Sequence, residues 1–271
     1  MYLLAIETTG PKASAALLAM PDGHMGQGGQ AQAVRLLGET SSDEAKNHLK
    51  NLLPLIRQLL TECNVPKSQL THIAASIGPG SFTGIRIGVA TARALAQALQ
   101  LPCVAVPTLE TFRYAETKGT AKREAPQTSD AYRSLVCGII NARRGQVYGI
   151  VENCLPGGAY MLTDVLEAIA QKVLPNGKKV KFYGDGIDAY EAQIRSYFDD
   201  LGYREAKDYV FAEPEERYQS AAAAAYAAMD RIADGKAVSF EQLLPDYMRK
   251  AEAEVKLAAG QLPICRGPKQ E

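Results

Sequence analysis

The stretch Gly78-Pro79-Gly80-Ser81-Phe82-Thr83-Gly84 constrains this chain more than any other. It lies between an apolar run at 73–77 and a segment, 84–100, that reads as helix. A strand that runs through a glycine turn into a helix is a βα unit, which points to the α/β class. Such a turn has two uses. Its free backbone N–H groups and the positive end of the helix dipole favour an anion, typically a phosphate. Alternatively, its glycines only tighten the turn, so that helix and strand pack closely. The established phosphate patterns do not match. A P-loop needs Lys after the glycine, where this chain has Ile85 and Arg86; a dinucleotide fingerprint needs glycine at Thr83. A nucleophile elbow needs glycine where the chain has Pro79.

Around this unit the pattern is that of two similar lobes. Apolar runs at 2–7 and 13–20, joined by Thr8-Thr9-Gly10, predict a hairpin; a third strand is expected at 33–37, after a Gly- and Gln-rich loop at 23–32. Leu49, Leu52, Leu53, Ile56, Leu59 and Leu60 then recur at three and four. That spacing predicts an amphipathic helix over 41–62, capped by Ser41, Ser42 or Asp43 and kinked at Pro54. A strand at 103–106 and a helix opened by Pro107-Thr108 follow, then an exposed polar loop at 117–130. Strands at 135–140 and 146–151 flank a turn at 141–145, and helix 164–173, strand 180–183 and helix 187–198 come after it. An Ala-rich helix is expected at 220–232. Hairpins followed by alternating helices and strands, twice over, predict lobes at 1–108 and 109–250 and a poorly ordered tail at 251–271.

Composition narrows the function. At 271 residues the chain is long enough to fold without disulfides or structural metal. Its 30 basic and 30 acidic residues cancel, whereas a protein that grips bare phosphate backbone usually carries a basic excess. Five widely spaced cysteines, with no Cys-x-x-Cys pair, read as free thiols in a reducing compartment. The N-terminus lacks a basic region before its apolar run, so no signal peptide is read there. No run reaches the roughly 18 apolar residues needed to span a bilayer. The expected setting is the cytoplasm, with no membrane partner.

Four other places could carry chemistry. His48 sits on the predicted helix, but position 52 is Leu52 and only Glu44 offers a second ligand, so a solvated or interface histidine is the favoured reading. Glu7 ends the first strand, as a metal carboxylate or as a turn carboxylate bonded to nearby hydroxyls. Asp185, between two glycines, reads equally as a ribose or metal contact and as a helix N-cap. Arg143 and Arg144 stand at a hairpin tip, where they can contact phosphate or simply be solvated.

Taken together, the segments resemble the TsaB (YeaZ) family over nearly the whole length. The match is carried by Leu3-Leu4-Ala5-Ile6-Glu7-Thr8, by the glycine-rich turn through Ile85-Arg86-Ile87-Gly88, and by Val104-Ala105-Val106-Pro107-Thr108-Leu109-Glu110. It continues in Ala142-Arg143-Arg144-Gly145-Gln146-Val147-Tyr148, Gly184-Asp185-Gly186 and Leu244-Pro245-Asp246-Tyr247-Met248-Arg249. The resemblance implies the two-lobed actin-like, sugar-kinase and Hsp70-like (ASKHA) α/β fold. It also implies a role in making N6-threonylcarbamoyladenosine in tRNA, as a scaffold that binds the homologous transferase TsaD and, with it, the ATPase TsaE. No catalytic residue, cofactor or metal ligand is implied in this chain. The catalytic homologue carries a His-x-x-x-His metal pair where this chain has His48 and Leu52.

The resemblance further implies that helices 41–62 and 84–100 meet the partner. The expected interface residues are Leu49, Leu53, Ile56, Ser81, Phe82, Thr83, Ile85, Arg86, Val89 and Ala92. Some of these must face the chain's own sheet, and the sequence does not divide them. A lone chain is expected to pair with its own copy through the same surface, and tRNA is met only through the complex, with Arg143 and Arg144 as candidate contacts. The rival reading is a phosphotransferase or ATPase of the same superfold, with Asp185 and the 78–84 turn on its phosphates. A metalloprotease would need the missing histidine pair, and a stand-alone RNA-binding module sits badly with zero net charge.

Overall fold

The computed structural model describes residues 1–20, 34–42, 48–117 and 134–248. Its centre is set by strand β1, Tyr2–Glu7, whose residues 3–7 are all buried. A strand with apolar side chains on both faces must be covered twice, and this one is. Leu4, Ile6, Ala15 and Leu17 point into one core, under helices α1 (His48–Glu62) and α2 (Phe82–Leu99). Leu3, Ala5, Ala16 and Leu18 point into another, under helix α6 (Ala221–Ala233). This is the two-residue alternation of a pleated strand. Eight consecutive buried residues at 221–228, seven of them alanine, let α6 lie close against the sheet. Burial of each large aliphatic side chain contributes roughly 1.5–3 kcal/mol.

Strands β2 (Ser14–Ala19) and β3 (Arg35–Ser41) extend this sheet antiparallel from β1. Strands β4 (Leu70–Gly78) and β5 (Cys103–Pro107) extend it in parallel on the other side. The short helix α3 (Thr108–Thr111) leads out of it. The second sheet repeats the plan. Strand β6 (Leu135–Asn141) pairs antiparallel with β7 (Gln146–Val151), which pairs with β8 (Leu155–Met161). It pairs in parallel with β9 (Val180–Tyr183), which pairs with β10 (Tyr209–Phe211). Helices α4 (Leu162–Lys172) and α5 (Gly186–Asp200) cover one face. Leu109, Phe112 and Tyr183 lie in the core on the other. The two sheets thus share one order about their central strands, as the repeated pattern predicts.

Several expectations are corrected. The second lobe does not run to 250, because α6 packs on the first sheet and β11 (Ala237–Val238) pairs with β5. Of the three candidate caps of α1, Asp43 lies outside the described residues and the other two are tied to the first sheet. Ser41 ends β3 opposite Ser14, and Ser42 exchanges hydrogen bonds with the backbone of Ala13. The third strand is Arg35–Ser41 rather than 33–37. Strands β8, β10 and β11 are additions, and α2 begins at Phe82, with Ser81 as its N-cap. The expected loops at 23–32 and 117–130 lie almost wholly outside the described residues, and the tail at 251–271 lies wholly outside them. Among the described residues no helix is long and apolar enough to cross a membrane. Cys63, Cys103, Cys137 and Cys154 are free thiols, and burial pushes Cys103 up to about 11.

Candidate functional site

The glycine-rich turn between β4 and α2 is filled by the chain itself. The Ser81 N–H donates to the Thr9 carbonyl at 2.8 Å, and the Thr8 hydroxyl donates to the Gly84 carbonyl at 2.7 Å. Ser81 Oγ accepts from the Gly84 N–H at 3.2 Å, which caps α2. A Cβ on Gly80 would stand 2.6 Å from the Thr9 carbonyl oxygen, and one on Gly84 or Gly88 would overlap Thr8. These glycines therefore admit the Thr8-Thr9 backbone and hydroxyl. Of the two uses open to such a turn, close packing is the one realised.

The other phosphate-type positions are occupied in the same way. Glu7 is fully buried, and its Oε1 accepts from the N–H and hydroxyl of Thr9 at 2.5 and 2.6 Å. Its Oε2 has no hydrogen-bond partner. Burial pushes its pKa above 4.5 despite the Thr9 hydrogen bonds. It is a turn carboxylate. Asp185 Oδ1 accepts from the Asn141 N–H at 3.0 Å and makes no cap bond to α5. It fastens β6 to the start of that helix, and burial raises its pKa as well. At the N-terminus of α6, the first three N–H groups donate to Ser14 Oγ, Glu39 Oε1 and Ser220 Oγ. The Glu39 carboxylate stands where an anion would. Leu52, at the position of a second metal histidine, is 1% exposed and belongs to the core. No group of three His, Cys, Asp or Glu that could hold a metal ion occurs among the described residues.

The open feature is a surface. Leu53 is 56% exposed, on the flank of α1 that turns away from the sheet. A groove of about 700 Å³ runs beside it, lined by Leu53, Leu60, Leu95, Ala98 and Leu99 and edged by Arg57 and Lys67. At the start of α2, Phe82 is 42% exposed. The Arg86 guanidinium lies 4.0 Å from the centre of its ring. Arg86 Nε donates to the Tyr247 hydroxyl at 3.0 Å, and the Phe82 and Tyr247 rings are 4.7 Å apart. An arginine that lies over one ring and is hydrogen-bonded to the hydroxyl of the next gains cation–π attraction and loses mobility.

The structure divides the expected interface residues. Leu53, Ser81, Phe82, Thr83 and Arg86 are exposed. Ile56, Ile85, Val89 and Ala92 are buried against the chain's own sheet, so they are corrected from interface to core. Leu49 lies in α1, with its side chain outside the described residues. Arg143 and Arg144 are exposed at the β6–β7 tip, on the second sheet. Tyr247 was not legible beside Arg86, because 161 residues separate them. Leu95 and Leu99 could have been found from their spacing of four in α2.

The family model "TsaD: tRNA N6-adenosine threonylcarbamoyltransferase" matches residues 38–257. The tRNA threonylcarbamoyladenosine biosynthesis protein TsaB of Bacillus subtilis (strain 168) is 31% identical over 219 residues, 78% of this chain and 83% of that protein. Its namesake in Escherichia coli (strain K12) is 27% identical over 213 residues, 78% and 85% of the two chains. The structure of YeaZ from Pseudomonas aeruginosa superposes with a TM-score of 0.59 at 25% identity, over 91% of this chain and 99% of that one. The fold is accordingly the two-lobed ASKHA fold, and this chain belongs to the TsaB (YeaZ) family of tRNA threonylcarbamoyladenosine biosynthesis proteins.

Proposed function

We propose that this chain is a non-catalytic subunit of the machinery that makes N6-threonylcarbamoyladenosine in tRNA. Its work is to bind the TsaD-type transferase through the exposed faces of α1 and α2. The observation that carries this reading is the exposed apolar groove at Leu53, in a chain whose phosphate-type turns are filled by its own residues. Apolar side chains flanked by cations on two neighbouring helices suit a helix–helix interface. The TsaD description of the matched family supports a partner of the same fold, since homologous lobes can pair as two copies would. The pair then takes up the ATPase TsaE. In the absence of its partner, the chain pairs with itself through the same groove.

Reconstitution tests the reading. Threonylcarbamoyl transfer to an unmodified tRNA is measured with the TsaD and TsaE homologues of the same organism, with and without this chain. Transfer should require the chain, while the chain alone should transfer nothing. The phosphotransferase reading expects millimolar ATP to raise the melting temperature of the isolated chain, and the scaffold reading expects no shift.

A further inference from the structure

The tip between β6 and β7 has a backbone that its residues disfavour. Arg143, Arg144 and Gly145 all lie in the left-handed region, with φ of 65°, 55° and 75°. The turn is closed by Ala142 N–H to the Gln146 carbonyl and Gln146 N–H to the Arg143 carbonyl, both at 3.0 Å. Glycine enters this region freely, but each arginine brings its Cβ close to the following carbonyl. Hairpin tips of this hand are ordinarily built from Asn and Gly. Strain of this kind persists where surrounding contacts over-determine it, and it concentrates at functional sites.

The surroundings here do over-determine it. Asn141 Oδ1 accepts from the Arg143 N–H at 2.8 Å and from the Tyr190 hydroxyl at 3.2 Å. The Tyr190 oxygen accepts from the Gly145 N–H at 3.2 Å, and the Gly145 carbonyl from the Leu162 N–H at 2.9 Å. Asp185 holds the Asn141 N–H. Residues of β6, α4 and α5 thus grip the backbone of the tip, and none of these bonds uses an arginine side chain. Both arginine side chains are exposed, and Arg143 forms no ion pair among the described residues.

We infer that this tip is a phosphate-binding site for the ribose–phosphate backbone of tRNA, with Arg143 and Arg144 on neighbouring phosphates. A guanidinium presents two parallel N–H groups that match a phosphate edge. A nucleic-acid strand carries a charge at every nucleotide, so two adjacent arginines can each meet a phosphate of one strand. An acidic protein surface is the competing class of partner. RNA is favoured because the relatives of this chain are named for a modification of tRNA. Contacts to phosphate fix position and carry no base sequence, so the site orients tRNAs of any sequence. The inference rests on the reading of the chain as a subunit of the tRNA-modifying machinery.

The test is a titration of a fluorescently labelled, unmodified tRNA transcript at several salt concentrations. It is run with the full chain and with its equimolar mixture with the TsaD homologue. The informative variant is Arg143→Asn/Arg144→Gly, which gives the tip a sequence suited to its backbone. Its melting temperature should rise, while tRNA affinity falls roughly tenfold and the slope of log K against log salt flattens by about 1.5. Arg143→Lys/Arg144→Lys should keep most of the salt slope and lose part of the affinity. Unchanged tRNA affinity and slope in the Asn/Gly variant, or no tRNA bound by the wild type in either setting, overturns the inference. So does a variant that loses the TsaD homologue and keeps tRNA, because the arginines then face a protein. A wild-type chain that forms no complex with the homologue sinks the subunit reading instead, and the titration of the chain alone still decides the site.

Discussion

Glycines 84 and 177 separate two reasons for having no side chain. Gly84 is pressed against the Thr8 carbonyl, so an added methyl meets backbone that cannot swing aside. Gly84→Ala is expected to cost about 2–3 kcal/mol in chemical denaturation, or more if the turn must open. Gly177 has φ of 69° and open space around it, so Gly177→Ala should cost only about 1 kcal/mol of backbone strain. Equal costs for the two would contradict this account of the glycine-rich turn. Glu7 makes a prediction about pH. Its folded-state pKa lies above 4.5 because it is buried, so the folded chain holds its proton more tightly than the unfolded chain does. The stability it contributes is fully present below pH 4.5 and is lost as pH rises through the folded-state value. Glu7→Gln keeps the shape and removes the titration. Its stability relative to wild type should therefore grow from about pH 4.5 upward, and a gap that shrinks instead would refute the assignment.

At the scale of elements, α1 shows what periodicity can and cannot tell. Apolar residues at three and four fix a helix, yet two stripes fit the same spacing, and Ile56 belongs to both. The sheet takes Leu52, Ile56 and Leu59, leaving Leu53 exposed beside the half-buried Leu60. Only the direction of the helix over the sheet decides this, and that direction is a long-range property. Two substitutions one turn apart should consequently behave differently. Ile56→Ala should cost roughly 2–5 kcal/mol, read as a lower denaturation midpoint. Leu53→Glu should leave that midpoint within about 0.5 kcal/mol of wild type while weakening the partner complex. The same logic applies to α2, where Ile85, Val89 and Ala92 form the buried stripe. The short strands β10 and β11, and β8 with its Pro156-Gly157-Gly158, carry too little alternation to be read from sequence.

For the whole molecule, the repeated order of strands and helices was legible because each lobe repeats one local pattern. Residues 221–238 were misplaced because nothing local says which sheet a helix of alanines will cover. That helix shields Leu3, Leu18, Val104 and Val106, so it completes the first lobe from the far end of the chain. A chain ending at residue 219 should therefore lose the first lobe's share of the unfolding enthalpy in calorimetry, even though both of its sheets retain their main strands. An unfolding enthalpy as large as that of the full chain would mean that α6 is dispensable to the first lobe. The candidate surface was legible only in part. The two helices were named from the resemblance, but four of the ten expected interface residues are buried in the core.

The central claim is that this chain acts through the exposed face of α1 and α2. Size-exclusion chromatography with light scattering, on the chain mixed with the TsaD homologue of its own organism, tests it most directly when wild type and Leu53→Glu are run side by side. The account predicts a one-to-one complex for wild type, and two separate folded proteins for the variant. A complex that Leu53→Glu leaves intact, or a folded wild-type chain that never joins the homologue, would contradict it.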